Sequence, residues 1–232
     1  IFHGGAVVFI IGKVIGGESD ITPGDVINQY LMVSDAFDGS KSVRFGAPAF
    51  RPFCENALAR VHRHKDSKLI RMRHSLDIEE NFDNVASVMD VINQEFQGTV
   101  EALKLLASKN INQKDLEKYI MKVFDIEPKD GKIATRSENL VENMVDKYYK
   151  SLNTTKKEQI ESIQRIFDDP KESTNVKIAR GTWFNAYQSI SEYLTHERGR
   201  SPDNRLTSLL WGDSFTKNEK ALELAVQMSM SA

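Results

Sequence analysis

Residues 44–74 read RFGAPAFRPFCENALARVHRHKDSKLIRMRH, and the folding of this stretch decides the architecture. Arg44, Phe45 and Val43 before them alternate in polarity, the two-residue period of a β-strand. Pro52 cannot donate to a ladder but fits the first turn of a helix, so a short helix is predicted over Phe53–His62. Leu69 and the flanking Arg71 and Arg73 return to alternation, which predicts a further strand over Lys68–His74. The segment from Lys41 to His74 holds nine Lys or Arg against Glu55 and Asp66, a local excess of +7 in a chain whose net charge is −2. Everything outside it therefore sums to −9. A charge asymmetry of this size points to a polyanionic partner.

Working outward toward the N-terminus, the β-branched run after Gly4-Gly5 predicts a buried strand up to Ile15, and Gly16-Gly17 is expected to break it into a turn. Asp25 to Phe37 predicts a second strand, Asp38-Gly39 a hairpin, and Ser42–Phe50 a third strand. After His74 the period changes from two to 3.6. Ile78, Phe82, Val85, Met89, Ile92, Phe96, Val100 and Leu103 step by three or four residues, predicting a long amphipathic helix. Asn110–Asn112 should end it, with a shorter helix over Asp115–Phe124 and a turn at Pro128–Gly131. Ser137 should begin a helix running to Tyr149, Thr154/Thr155 should cap another ending near Asp169-Pro170, and Lys171–Asn175 reads as a linker. Thr182 is a good N-cap and Gly199 a good C-terminal stop for the next helix. The last helix, Thr216–Met230, should bury Leu222, Ala225, Val226 and Met230. The fold class is thus α+β: a small antiparallel β-sheet in the N-terminal third packed by a long helix, followed by a helical C-terminal two-thirds. A single domain is expected over 1–232, β-rich to residue 75 and helical from 76.

Composition narrows the function classes. A chain of 232 residues with 40% hydrophobic and 28% charged residues can bury a full core. Its longest apolar run, Ala6–Ile11, is too short to cross a bilayer, so no membrane partner is expected and the expected location is the cytoplasm of a host cell. Cys54 stands alone, which excludes an internal disulfide. Ile1 is not a start methionine, so further residues are expected upstream of it.

The basic stretch suits phosphate. Arginine forks match phosphate oxygens, and Phe45, Phe50 and Phe53 could stack on bases, although each phenylalanine is more simply a core residue. The competing reading of the charge is a solvated edge that blocks sheet-to-sheet pairing. The expected nucleic-acid-binding residues are Lys41, Arg44, Arg51, Arg60, Arg63, Lys65, Lys68, Arg71, Arg73 and His74. His62 and His64 lie within this cationic cluster, where a metal cation is electrostatically disfavoured. Glu192 and His196 stand four apart on one helical face, but two ligands without a third hold a metal weakly. A helix-stabilising contact, with Arg198 or Arg200 adjacent, is the expected role. Cys54 at a helix start could be an activated thiol, yet no base accompanies it, and a small buried hydrophobe is the simpler reading. No Walker loop, GxSxG or HExxH motif occurs, so no catalytic residue, metal or cofactor is expected.

Two segments carry a family resemblance. Arg51, Cys54, Asn56 and Leu58 form an R-x-x-C-x-N-x-L pattern ahead of Arg71, Arg73 and His74. Gly181, Thr182, Asn185, Ala186, Glu192, Tyr193, His196 and Arg198 form a second pattern, with Trp183 directly after Thr182 as a departure. Both resemble the phage- and plasmid-associated family called domain of unknown function 932. The resemblance implies a place among genes of DNA metabolism but no chemistry. By fold-level analogy the expected sheet, basic corner and long helix are similar to phage single-strand annealing proteins that act in recombination. The expectation is a non-enzymatic protein that binds single-stranded nucleic acid, DNA in the first instance, and forms a homo-oligomer. The alternative is a non-catalytic interaction protein that inhibits or recruits a host factor through its acidic helices.

Overall fold

The computed structural model describes residues 7–36, 43–46, 49–50, 70–72, 85–126, 149, 151–169, 179–199, 201, 205, 208–209 and 212–231. The sheet comprises β1 (Val7–Thr22), β2 (Asp25–Ala36), β3 (Val43–Gly46), β4 (Ala49–Phe50) and β5 (Ile70–Met72). All described pairings are antiparallel, in the order β1-β2-β3-β5, with β4 also on β2. The helices are α1 (Val85–Ser108), α2 (Gln113–Val123), α3 (Thr154–Asp168), α4 (Trp183–Glu192) and α5 (Asp213–Ser231). The α+β class read from the sequence holds. The hairpin at Asp38-Gly39, the helix over Phe53–His62, the turn at Pro128–Gly131 and the linker at Lys171–Asn175 lie outside the described residues. Of the helix from Ser137, Tyr149 is described, and it is helical.

The Gly16-Gly17 pair does not end the first strand. β1 and β2 stay in register from Val7↔Ala36 to Lys13↔Tyr30, and pairing resumes at Glu18↔Asn28. Five steps on β1 match two on β2, so the extra residues form a bulge. Gly16 has φ +76, and a Cβ on Gly17 would meet the Gln29 Cβ at 2.7 Å. The glycines let the strand swell without breaking, and the chain reverses later, at Pro23-Gly24. The expected third strand is two: β3 pairs with β2 through Met32↔Gly46, Val33↔Phe45 and Ser34↔Arg44, whereas β4 pairs through Asn28↔Phe50 and Gln29↔Ala49. Pro48, lacking an N–H, falls in sequence between them.

One sheet face packs on α1. Ile27 and Gln29 are buried, and Gln29 Nε2 donates to Asn93 Oδ1 of α1 at 2.9 Å. Along α1 the three-four periodicity buries Phe96, Val100 and Leu103, as the sequence predicts, and continues to Leu106. These residues share one core cluster with Ile21 and Ile27 of the sheet and with Tyr119, Trp183, Ile190 and Ala221 of the helices. Ile78 and Phe82 lie outside the described residues.

Side-chain oxygens set the helix starts. Asn112 accepts from the Asp115 amide at 2.8 Å and caps α2. α3 is capped by Asn153, which accepts from the Lys156 amide at 3.0 Å, rather than by Thr154 or Thr155. Asparagine one position earlier serves the same free amide, and the threonines become the first helical turn. Thr182 caps α4, as expected. α5 keeps part of its predicted face: Ala225 is buried as expected, together with Phe215, Asn218, Ala221 and Ser229, while Leu222 and Val226 pack half-buried against the core and Met230 is 70% exposed.

Leu106→Ala should lower the unfolding free energy by about 2–5 kcal/mol, whereas Met230→Ala should stay within about 0.5 kcal/mol of the parent. Urea denaturation of both variants checks the assignment of the core faces.

Candidate functional site

Of the basic residues singled out by sequence, the described strands hold Arg44 in β3 and Arg71 in β5. Lys41, Arg51, Arg60, Arg63, Lys65, Lys68, Arg73 and His74 lie outside the described residues, as do Cys54 and Asn56. Arg44 and Arg71 are direct cross-strand partners, and Arg44 is in turn the partner of Ser34. Ser34 stands five positions after Gln29 on β2, an odd offset, so the two positions fall on opposite faces. Gln29 faces α1; the row of positions Ser34–Arg44–Arg71 therefore belongs to the other face. The adjacent row, Val33–Phe45–Ile70, shares the α1 side. The register thus places the Phe45 and Arg44 positions on opposite faces of the sheet.

The second motif builds a joint. Gly181 adopts φ +70, a left-handed conformation that glycine tolerates best, and its carbonyl accepts from the Ile111 amide at 2.9 Å. The Trp183 amide donates to the Lys109 carbonyl at 2.9 Å, so the start of α4 is laced to the α1–α2 connection. Thr182 Oγ1 donates to Ala179 O at 2.6 Å and accepts from the Asn185 amide at 3.3 Å. Asn185 Nδ2 donates to the Phe167 carbonyl at 3.2 Å, satisfying the last turn of α3. Trp183 meets Tyr119 edge-to-face at 5.6 Å, and the Tyr119 hydroxyl donates to Ala221 O at 2.8 Å. Burial, with the nearby Tyr187, drives the Tyr119 phenol well above its usual value. Gly181, Thr182 and Asn185 are therefore structural residues in what they touch.

Past Glu192, α4 continues as a π-helical turn, Tyr193–Glu197, closed by the Arg198 amide donating to Tyr193 O at 2.9 Å. Glu192 Oε1 and His196 Nε2 stand 4.0 Å apart, and the His196 side chain is 57% exposed. Among the described residues no three His, Cys, Asp or Glu gather as metal ligands. Arg198 does not join this pair. It donates to Asp213 Oδ2 and Ser214 Oγ at the start of α5, while Glu197 pairs with Arg165 of α3. Lys217 extends the chain of charges, 3.3 Å from Asp213 and 3.9 Å from Asp125, and Lys220 pairs with Asp125 at 2.5 Å. Burial pulls the Asp213 carboxyl up, but the Arg198 hydrogen bond and charge, with Lys217, outweigh it and hold it below its ordinary value. Tyr193 is raised chiefly by burial, against the charge of Arg198 and with that of Glu197. Sequence reasoning missed Arg165 and Asp213, because neither sits near its partner in the chain.

The comparison with protein families bears on these segments together. A family model described as a domain of unknown function, DUF932, matches residues 2–211. The chain belongs to the DUF932 family. That span takes in both the Arg44–Arg71 row and the joint at Gly181–Asn185, and the DUF932 match ends just short of α5. No curated protein and no solved structure matches this DUF932 chain.

The Arg198–Asp213 contact carries a pH signature. A carboxyl depressed in the folded state stabilises above its unfolded value and loses that contribution as pH falls through the folded one. Asp213→Asn should therefore cost about 0.2–1 kcal/mol at neutral pH, a half-exposed pair being screened by water. The gap from the parent should narrow as pH drops below the ordinary carboxyl value of 3.8. Thermal melts across pH test this.

Proposed function

We propose that this DUF932 chain binds single-stranded nucleic acid through the basic sheet face that contains Arg44 and Arg71, without catalysis. Its setting is the DNA metabolism of phages or plasmids, where it assembles with copies of itself and promotes strand annealing. The observation that carries the reading is the direct pairing of Arg44 with Arg71 on the face away from α1. Like charges directly opposite in a ladder destabilise a sheet. An anion lying between the two positions turns that cost into two charge-assisted contacts, and arginine forks suit phosphate oxygens. The flanking stretch adds the rest of the +7 segment, while the remainder of the chain, at −9, repels phosphate elsewhere. Backbone neutralisation of this kind needs no base-specific contact, which agrees with a face read as arginine and lysine.

Counterion release makes the proposal quantitative. Each single-strand phosphate neutralised contributes about −0.7 to the slope of log K against log salt. Five contacts imply a slope of roughly −3 to −4. Replacing Arg44 and Arg71 together with glutamine should flatten it by about 1.4 and weaken all sequences alike. The free variant should melt no lower than the parent, because a like-charge pair is removed. Fluorescence anisotropy with matched single-stranded DNA and RNA at several salt concentrations reads both. Undetectable binding at low salt by the folded protein, or an unchanged slope in the double variant, overturns the reading.

A further inference from the structure

The rows beside Arg44 and Arg71 show what their face offers besides charge. On β2, Asn28, Tyr30, Met32 and Ser34 all stand at odd offsets from Gln29 and so share the face away from α1. Their direct partners extend the rows: Lys13 opposes Tyr30, Ile11 and Gly46 flank Met32, and Arg44 opposes Ser34. Asn28 is buried, whereas Tyr30, one step nearer the arginine row, is partly exposed. A partly exposed aromatic residue therefore stands on the face that holds the arginine positions. Tyr30 lies four positions from Ser34, about 13 Å along the strand. A stacked strand advances about 3.4 Å per nucleotide, so about four nucleotides bridge the two places.

Lys13 adds no phosphate contact here. Its Nζ pairs with Glu18 Oε1, both side chains being about half exposed, so its charge is offset. This end of the face thus offers a ring beside a neutralised pair, chemistry suited to a base and not to a phosphate. We infer that Tyr30 is a nucleobase-stacking site, on which an unpaired base of the bound strand lies while the Arg44–Arg71 row meets its phosphates. The inference rests on the single-strand reading above and deepens it by assigning the part of the ligand that no cation recognises. Every base has a π-face, so stacking tolerates any sequence. In a duplex those faces are already covered by neighbouring bases, and so Tyr30 selects unpaired strands, which contacts to phosphate alone do not do.

A stacking contact releases no counterions, which separates it from the arginine row. A mixed-sequence single strand of DNA, an abasic strand of the same length and the matching duplex are titrated by fluorescence anisotropy at several salt concentrations. Tyr30→Ala should weaken the base-bearing strand by about tenfold at an unchanged salt slope. Tyr30→Phe should retain the parent's affinity, and the abasic strand should bind parent and Tyr30→Ala alike. The parent's preference for single strand over duplex should shrink by the same factor in Tyr30→Ala. Melting curves identify any variant that fails to fold, and Tyr30→Leu, which keeps an apolar side chain without a π-face, then carries the comparison. Undetectable binding of every strand by the folded parent overturns the single-strand reading and this inference with it. Salt-dependent binding that Tyr30→Ala leaves at parent strength, or weakens equally on base-bearing and abasic strands, overturns this inference alone.

Discussion

Two backbone hydrogen bonds, Ile111 N to Gly181 O and Trp183 N to Lys109 O, join segments some seventy residues apart in the chain. They form because Gly181 takes a left-handed turn and Thr182 then caps α4, presenting one carbonyl and one amide side by side. With those bonds in place Trp183 is driven against Tyr119, whose hydroxyl reaches Ala221 of α5. Asn185 simultaneously holds the end of α3. One joint therefore fixes four helices, and through α1 it supports the face of the sheet that buries Ile27 and Gln29. Buried backbone groups must be paired, so a residue other than glycine at 181 would disturb both bonds through strain at a single φ.

Much of this was legible in the chain, and the failures have local causes. The switch of period near residue 75 separated sheet from helices, and the long three-four repeat located the buried stripe of α1 at Phe96, Val100 and Leu103. Gly16-Gly17 misled because a bulge and a turn make the same demand on the backbone; only the partner strand, with Gln29 against Gly17, distinguishes them. The face of α5 misled for another reason. Hydrophobicity weights Leu222 and Met230, whereas the buried face combines the expected Ala225 with Ala221, Ser229 and Phe215.

The site was legible as composition and not as geometry. The charge excess marked the Lys41–His74 stretch, but nothing in the sequence tells which residue of β3 opposes which residue of β5. A slip of one position would have set Arg44 against a hydrophobic residue and mixed the two faces. Likewise the neighbours expected for the Glu192–His196 pair were chosen by proximity in sequence, whereas Arg198 turns to Asp213 and Glu197 to Arg165. The π-helical turn explains this. By adding one residue to the turn it rotates the positions after Glu192, so that Glu197 and Arg198 meet α3 and α5.

A chain that is acidic outside its basic stretch must keep its own carboxylates from cancelling the proposed phosphate face. The register achieves part of this by placing Arg44 and Arg71 on the face away from α1. Asp90 and Glu101 of α1 are exposed, and therefore lie away from the packed side of that helix. A helix is about 10–12 Å across, and the Debye length is about 8 Å at physiological salt. Charges on the outer side of α1 that stand further than this from a phosphate at the arginine row act on it only weakly. Packing α1 against one face of the sheet and setting the Arg44 and Arg71 positions on the other lets one chain carry both signs on separate surfaces.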